Sequence, residues 1–136
     1  MATGPHWGMG MQLTRLAAVA LVALAPSVAW AVTEADFAAR TTGDLVNLCS
    51  ADPKEPMGTA ALNFCHGYAQ GAVSVEIEQA MADKRDRLFC FPNPAPQRTQ
   101  TLNEFVTWAR ANPARLSQRA ADGLFTFLHE RFPCGK

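Results

Sequence analysis

Apolar positions along this chain recur three or four residues apart, the period of helices, and nowhere show a convincing strand alternation. Thr33-Glu-Ala-Asp36 reads as a capping box opening a short first helix, with an acid variant of the usual glutamate at its third position. Thr41-Thr-Gly-Asp44 is a second such signal. It opens the run "LVNLCS", which ends near Ser50, before the loop "ADPKEP" and its two prolines. A long helix follows over Gly58–Lys84, with Ala61, Cys65, Tyr68, Ala72 and Val75 on one face. Gly67 and Gly71 lie four apart on it. Either they let another helix approach closely, or the helix tolerates them at a cost of up to about 1 kcal/mol each.

The stretch Arg85–Gln100 carries prolines at 92, 94 and 96 and is expected to be an extended loop, because proline lacks a backbone donor and blocks helix. Thr101-Leu-Asn-Glu104 is a full capping box, predicting a helix whose stripe is Leu102, Phe105, Val106 and Ala109. Asn112-Pro113 ends that helix and starts the next, with Asn112 as cap and Pro113 in the first helical position. Leu116, Ala120, Leu124, Phe127 and Leu128 form the last stripe, and Pro133 stops it. There is no internal repeat.

The N-terminus reads differently. Arg15 precedes an apolar run from Leu16 to Val28, and Ala29 and Ala31 give the small-x-small pattern of a signal-peptide cleavage site. The run contains Pro26 and falls short of the roughly 20 residues a membrane span needs. The expectation is a signal peptide over residues 1–31, cleaved after Ala31, and a mature domain over residues 32–136 in a bacterial cell envelope, with no membrane contact afterwards. Met1, Met9 and Met11 are all credible starts.

Export changes the meaning of the cysteines. All four (Cys49, Cys65, Cys90 and Cys134) follow the cleavage site, and an even count in a small exported domain is most simply two disulfides. Short links between helices favour antiparallel neighbours. If the helix ending at Cys49 runs down, the long helix runs up, with Cys65 low and Cys90 just past its top. The Leu102 helix then runs down and the Leu116 helix up, so Cys134 ends near Cys90. This predicts Cys49–Cys65 and Cys90–Cys134, and an all-α fold: a small antiparallel bundle of four to five helices stapled by two disulfides.

The pair Cys65-His66 invites a reactive reading, but a bridged sulfur offers no thiolate. Neighbouring helical residues also point about 100° apart. A haem anchor needs C-x-x-C-H, and position 62 is leucine. Zinc needs three or four convergent ligands, and only His66 and His129 remain in the mature chain beside the bridged sulfurs, since His6 leaves with the signal. There is no Gly-rich phosphate loop, and Glu76, Glu78 and Asp83 do not mark an acid/base pair. No catalytic residue, metal or cofactor is expected. The charges balance, with 12 basic and 12 acidic residues, and the one basic knot, Lys84-Arg85-Asp86-Arg87, is broken by an acid. That argues against a nucleic-acid partner.

A helical domain without a polar constellation points to binding. Loops on a rigid scaffold carry binding more often than helices do. The Arg85–Gln100 loop offers Arg85, Arg87, Phe91 and Arg98 as partner-binding candidates, since arginine and aromatics are enriched in interface hot spots. Its prolines lower the ordering cost of binding. Phe89 and Phe91 have an alternative role, capping the core beside Cys90. The polar loop Asp52–Met57 is a second candidate.

The series "DLVNLC", "FCHGYAQGAV", "FCFP", "TLNEFVTWARANP" and "RFPC" resembles the Rap/Tai-type immunity proteins of type VI secretion, over about Asp44 to Cys134. The resemblance implies an α-helical, disulfide-stabilised periplasmic protein that blocks a peptidoglycan amidase toxin, often as a homodimer that places a loop in the amidase cleft. It also implies that the four cysteines match the family's frame, that Tyr68 and Gly71 match a C-x-x-Y-x-x-G core helix, and that Pro113 matches a helix junction. These are fold residues, and no inhibitory residue carries over. The alternative is a small periplasmic chaperone or an envelope-complex assembly factor without a toxin partner. A chaperone would open in acid and bind clients; an assembly factor would co-purify with its complex.

Overall fold

The computed structural model describes residues 1–4 and 31–135. The expected leader lies almost wholly outside them. A 3₁₀ turn over Glu34–Ala38 is followed by α1 (Thr42–Cys49), α2 (Gly58–Ala82), α3 (Arg98–Arg110), α4 (Pro113–Leu116) and α5 (Ala120–Arg131). No strand occurs among the described residues, and one isolated antiparallel bridge joins Thr41 to Arg119. None of the described helices is long and apolar enough to cross a membrane.

The short helix α1 is the centre of the bundle and packs against the other four helices and the 3₁₀ turn. Its Leu45 and Leu48 are fully buried. The capping box that starts it is formed as expected: the Asp44 N–H donates to Thr41 Oγ1 at 3.1 Å, and the Thr41 N–H donates to Asp44 Oδ2 at 3.0 Å. Ahead of it, the Thr33 N–H and hydroxyl both donate to Asp36 Oδ2, at 2.7 and 2.8 Å. Asn47 of α1 donates to the other Asp36 oxygen at 2.9 Å, tying the 3₁₀ turn to the bundle. Burial pushes the Asp36 carboxyl up, but these donors outweigh it and hold the group below its ordinary value.

The segment entering α1 also reshapes the C-terminal half. The Thr42 N–H donates to Gln118 O at 2.8 Å and the Ala120 N–H to Arg40 O at 3.2 Å. The helix breaks there, with Arg119 in extended geometry (φ −59°, ψ 145°), so the last helix, expected to run unbroken from Pro113, is divided between α4 and α5. Gly123 then packs directly on α1. A Cβ there would lie 2.0 Å from Thr42 Oγ1, so only glycine fits. Asn112 caps α4 as expected, with its Oδ1 accepting the Ala114 N–H at 3.0 Å and Pro113 in the first position.

Along the 25-residue α2 the buried positions are Gly58, Ala61, Cys65, Ala69, Glu76 and Ala80. Tyr68 and Ala72 are half-buried against the core, but Val75, expected on that face, is 53% exposed. A 3.6-residue period carries the stripe from Ala69 to Glu76 and leaves Val75 on the flank. The helix ends at Ala82 rather than Lys84, in a Schellman motif. Lys84 takes left-handed geometry (φ 52°), the Arg85 N–H reaches Ala80 O at 3.0 Å, and the Lys84 N–H reaches Met81 O at 3.3 Å. Cβ atoms at Gly67 and Gly71 would meet nothing within 4 Å, so no described helix crosses there.

Both disulfides pair as the helix directions predict. Cys49–Cys65 joins α1 to α2 with Cα atoms 5.1 Å apart, and Cys90–Cys134 joins the α2–α3 connection to the C-terminus with Cα atoms 4.8 Å apart. Their sequence separations are 16 and 44. In the chain-entropy model these close loops worth about 3 and about 4 kcal/mol. Such terms are large beside a typical domain stability of about 5–15 kcal/mol.

Candidate functional site

The most distinctive feature is how the connection from α2 to α3 is held. After the Schellman turn, Arg85 folds back and donates from Nη1 to Glu76 Oε1 at 3.0 Å. The Leu88 N–H donates to the same oxygen at 2.8 Å. On its other side, the Leu88 carbonyl accepts from Nδ1 of His129 at 2.7 Å. Because a carbonyl only accepts, His129 carries its proton on Nδ1. The Leu88 backbone is thus clamped between α2 and α5. Glu76 itself is 3% exposed, and its Oε2 has no partner among the described residues. Burial pushes its carboxyl up, but the Leu88 N–H, the Arg85 guanidinium and the Arg87 charge more than offset this and hold it below its ordinary value.

Two further anchors follow at once. The Cys90 N–H donates to Phe132 O at 2.8 Å beside the Cys90–Cys134 bridge. Phe89 is buried, 5.2 Å from the Phe91 ring and 6.3 Å from Phe125, and Phe91 meets Phe132 edge-on at 5.1 Å. The core-capping role therefore holds fully for Phe89 and partly for Phe91, which packs against the core without being fully buried. The chain then passes a cis Asn93–Pro94 bond.

The start of α3 corrects the sequence reading. The helix begins at Arg98, one turn before the expected Thr101, with extended Gln97 (φ −67°, ψ 131°) in front of it. Thr101 lies inside the helix, where its hydroxyl donates to Gln97 O at 3.1 Å. Glu104 accepts from Gln100 at 3.1 Å and from Arg131 at 2.8 Å, so the Thr101–Glu104 capping box does not form. Helical geometry after Pro96 is already open to Arg98, Thr99 and Gln100, and the helix takes it. The consequence is an N-terminus with no capping side chain and no acid in its first turn.

Between α2, the proline segment, α3 and α5 lies a cleft of about 320 Å³. Its walls are Ala69 and Val73 of α2, Leu102 and Phe105 of α3, and Leu124 and Phe127 of α5. Phe91 and Pro96 border it, and Arg98 at its rim donates to Gln70 Oε1.

The four partner-binding candidates thus divide. Phe91 and Arg98 share the cleft. Arg85 is engaged with Glu76 at the opposite end of the connection. Arg87 is exposed and makes no ion pair or side-chain hydrogen bond with the described residues. The Asp52–Met57 loop is an exposed, self-bonded turn. Asp52 accepts the Lys54 and Glu55 N–H groups at 2.9 and 3.0 Å, and a Cβ at Gly58 would strike Asp52 O at 1.7 Å.

Two constellations were not found from sequence. One is the Glu76 clamp, whose trace was a lone acid on an otherwise apolar helical stripe. The other joins α3 to α4 and α5: Trp108 Nε1 donates to Glu130 at 2.6 Å, and the Arg115 guanidinium lies 4.0 Å over the Trp108 ring. Nothing local announces it, because its members come from three helices. All four sulfurs are bridged, and among the described residues no group of three or more His, Cys, Asp or Glu side chains is placed to hold a metal.

No curated protein and no solved structure matches the chain. The family model for Rap1a immunity proteins matches residues 41–134, from the Thr41 cap of α1 to the second disulfide. Helices, bridges and anchored connection all fall within that span, and the chain belongs to the family of Rap1a immunity proteins.

Proposed function

We propose that this chain is exported to the periplasm and there neutralises a peptidoglycan amidase delivered by type VI secretion, by laying its α2–α3 connection over the enzyme's active-site cleft. Membership of an immunity family supplies the coarser role, binding a cognate toxin. The observation that favours occlusion is the anchoring of the connection. The Glu76 clamp holds its start, the Cys90–Cys134 bridge its middle, and α3 its end. A loop ordered beforehand loses little freedom on docking and so binds tightly for its size. Arg87, Phe91 and Arg98 give it the arginine and aromatic content of interface hot spots. Two disulfides suit an oxidising compartment, which supports periplasmic action.

The test mixes the oxidised mature chain with each small secreted amidase encoded in the same genome and follows hydrolysis of peptidoglycan stem peptides. One amidase should lose activity in proportion to added chain and recover it when dithiothreitol opens the bridges. Full hydrolysis by every such amidase in excess chain overturns the reading. Light scattering on the same sample reports whether the chain works as a homodimer.

A further inference from the structure

We propose that the cleft between α2, α3 and α5 is a receptor pocket for one large apolar side chain of a protein partner, with an acidic group of that partner beside it pairing with Arg98. The proposal rests on the reading that the chain binds a protein. It adds that recognition runs in both directions: the connection covers the partner, and the partner fills this cleft.

Three observations carry it. The first is size and lining. A cleft of about 320 Å³ walled by Ala69, Val73, Leu102, Phe105, Leu124 and Phe127 is apolar and lies at the small end of ligand pockets. That suits one aromatic or long aliphatic side chain, the group that anchors interface hot spots. The second is rigidity. Leu102, Phe105, Leu124 and Phe127 are also core residues, so their positions are fixed before any partner arrives. The third is charge. Among the described residues Arg98 is the only charged one lining the cleft, and its hydrogen bond goes to the neutral amide of Gln70, so no described acid neutralises its charge. The uncapped first turn of α3 adds its own N–H groups at the same rim. An apolar hole with a cationic edge is complementary to an apolar side chain next to a carboxylate. A bare hydrocarbon or a cationic segment would leave Arg98 unsatisfied or repelled.

The test uses the oxidised mature chain and three blocked dipeptides: N-acetyl-Phe-Glu-amide, N-acetyl-Phe-Lys-amide and N-acetyl-Ala-Glu-amide. Binding is read from backbone amide shifts. The Phe-Glu probe should move Ala69, Val73, Leu102 and Leu124 and bind about two- to fivefold more tightly than Phe-Lys, the range of an exposed ion pair. Ala-Glu should not bind there. Arg98→Glu should reverse the Glu-over-Lys preference, and Val73→Trp should abolish binding of both Phe probes while the amide spectrum stays folded. If Val73→Trp fails to fold, the Arg98→Glu reversal decides alone. Absence of shifts at the cleft, equal binding of the Glu and Lys probes, or an unchanged preference in Arg98→Glu overturns the proposal. None of these readouts needs an amidase, so failure of the toxin assignment is seen separately.

Discussion

Glu76 accepts the Leu88 backbone N–H at 2.8 Å from the middle of α2, across 12 residues of sequence, and the same oxygen takes Arg85 at 3.0 Å. One buried carboxylate therefore sets the course of the whole α2–α3 connection. Removing it strands the Leu88 donor and frees Arg85. Arg85 is 38% exposed, so its share is small after solvent screening. Glu76→Ala should cost about 2 kcal/mol, mostly from the unsatisfied N–H. Glu76→Gln keeps an acceptor for Leu88 and should cost about half as much. Urea denaturation with both bridges intact measures this, and equal loss in the two variants would count against the backbone bond as the main term.

The same carboxylate makes the fold acid-sensitive. Its folded value lies below the ordinary 4.5, so protonation is easier in the unfolded chain. The stability it contributes is complete above that ordinary value and is lost as pH falls through the lower folded value. Asp36, held below 3.8 by Asn47 and Thr33, acts in the same direction, as does the partly exposed Glu104 beside Arg131. Stability should be flat near neutrality and fall as pH drops below about 4.5 towards 3. Glu76→Gln should show a shallower fall. A variant with the wild-type slope would assign the acid response to other carboxylates.

Much of this frame was legible locally. The Thr41–Asp44 box, the Asn112-Pro113 junction and the prolines of the connection act through near neighbours, so the sequence displays them. The disulfide pairing followed from helix directions. What escaped depends on distant partners. The break before α5 is made by Gln118 and Ala120 pairing with the segment before α1, far away in sequence. The Thr101 box lost to a helix start one turn earlier, and Glu104 found Arg131 instead. Arg98 stands out in the sequence as a contact residue, but the apolar cleft beside it is assembled from three helices and has no motif. Phe91 was visible as an aromatic, and its division between core and cleft was not.

The glycines give a sharp contrast. At Gly123 a Cβ would lie 2.0 Å from Thr42 Oγ1, in a contact between α5 and α1 that cannot open without moving the helix. Gly123→Ala should destabilise by about 1–3 kcal/mol through overpacking. At Gly67 and Gly71 nothing lies within 4 Å. Alanine there should stabilise α2 by about 0.5–1 kcal/mol each, from helix propensity alone. Thermal unfolding of the three variants tests this. Destabilisation by Gly67→Ala or Gly71→Ala at concentrations where the chain self-associates would instead mark α2 as a contact between copies.

The two bridges should separate stability from recognition. Cys49 and Cys65 staple α1 to α2, outside the α2–α3 connection, whereas Cys90 sits within it. Replacing both members of each pair by alanine should cost about 3 kcal/mol for Cys49/Cys65 and about 4 kcal/mol for Cys90/Cys134, following loop length. Recognition should not follow that order so closely. Without the second bridge, Phe89 and the Cys90 N–H still tether the connection to the core, but the chain beyond Cys90 gains freedom that docking must remove. Such ordering costs about 0.5–1.5 kcal/mol per immobilised side chain. The Cys90/Cys134 variant should therefore bind its cognate toxin at least about tenfold more weakly under conditions where it remains folded. The Cys49/Cys65 variant, if still folded, should bind within about threefold of wild type. Calorimetric titration of both variants, paired with denaturant curves at the same temperature, distinguishes the two effects. Equal losses of affinity would mean that the connection is not what the partner reads.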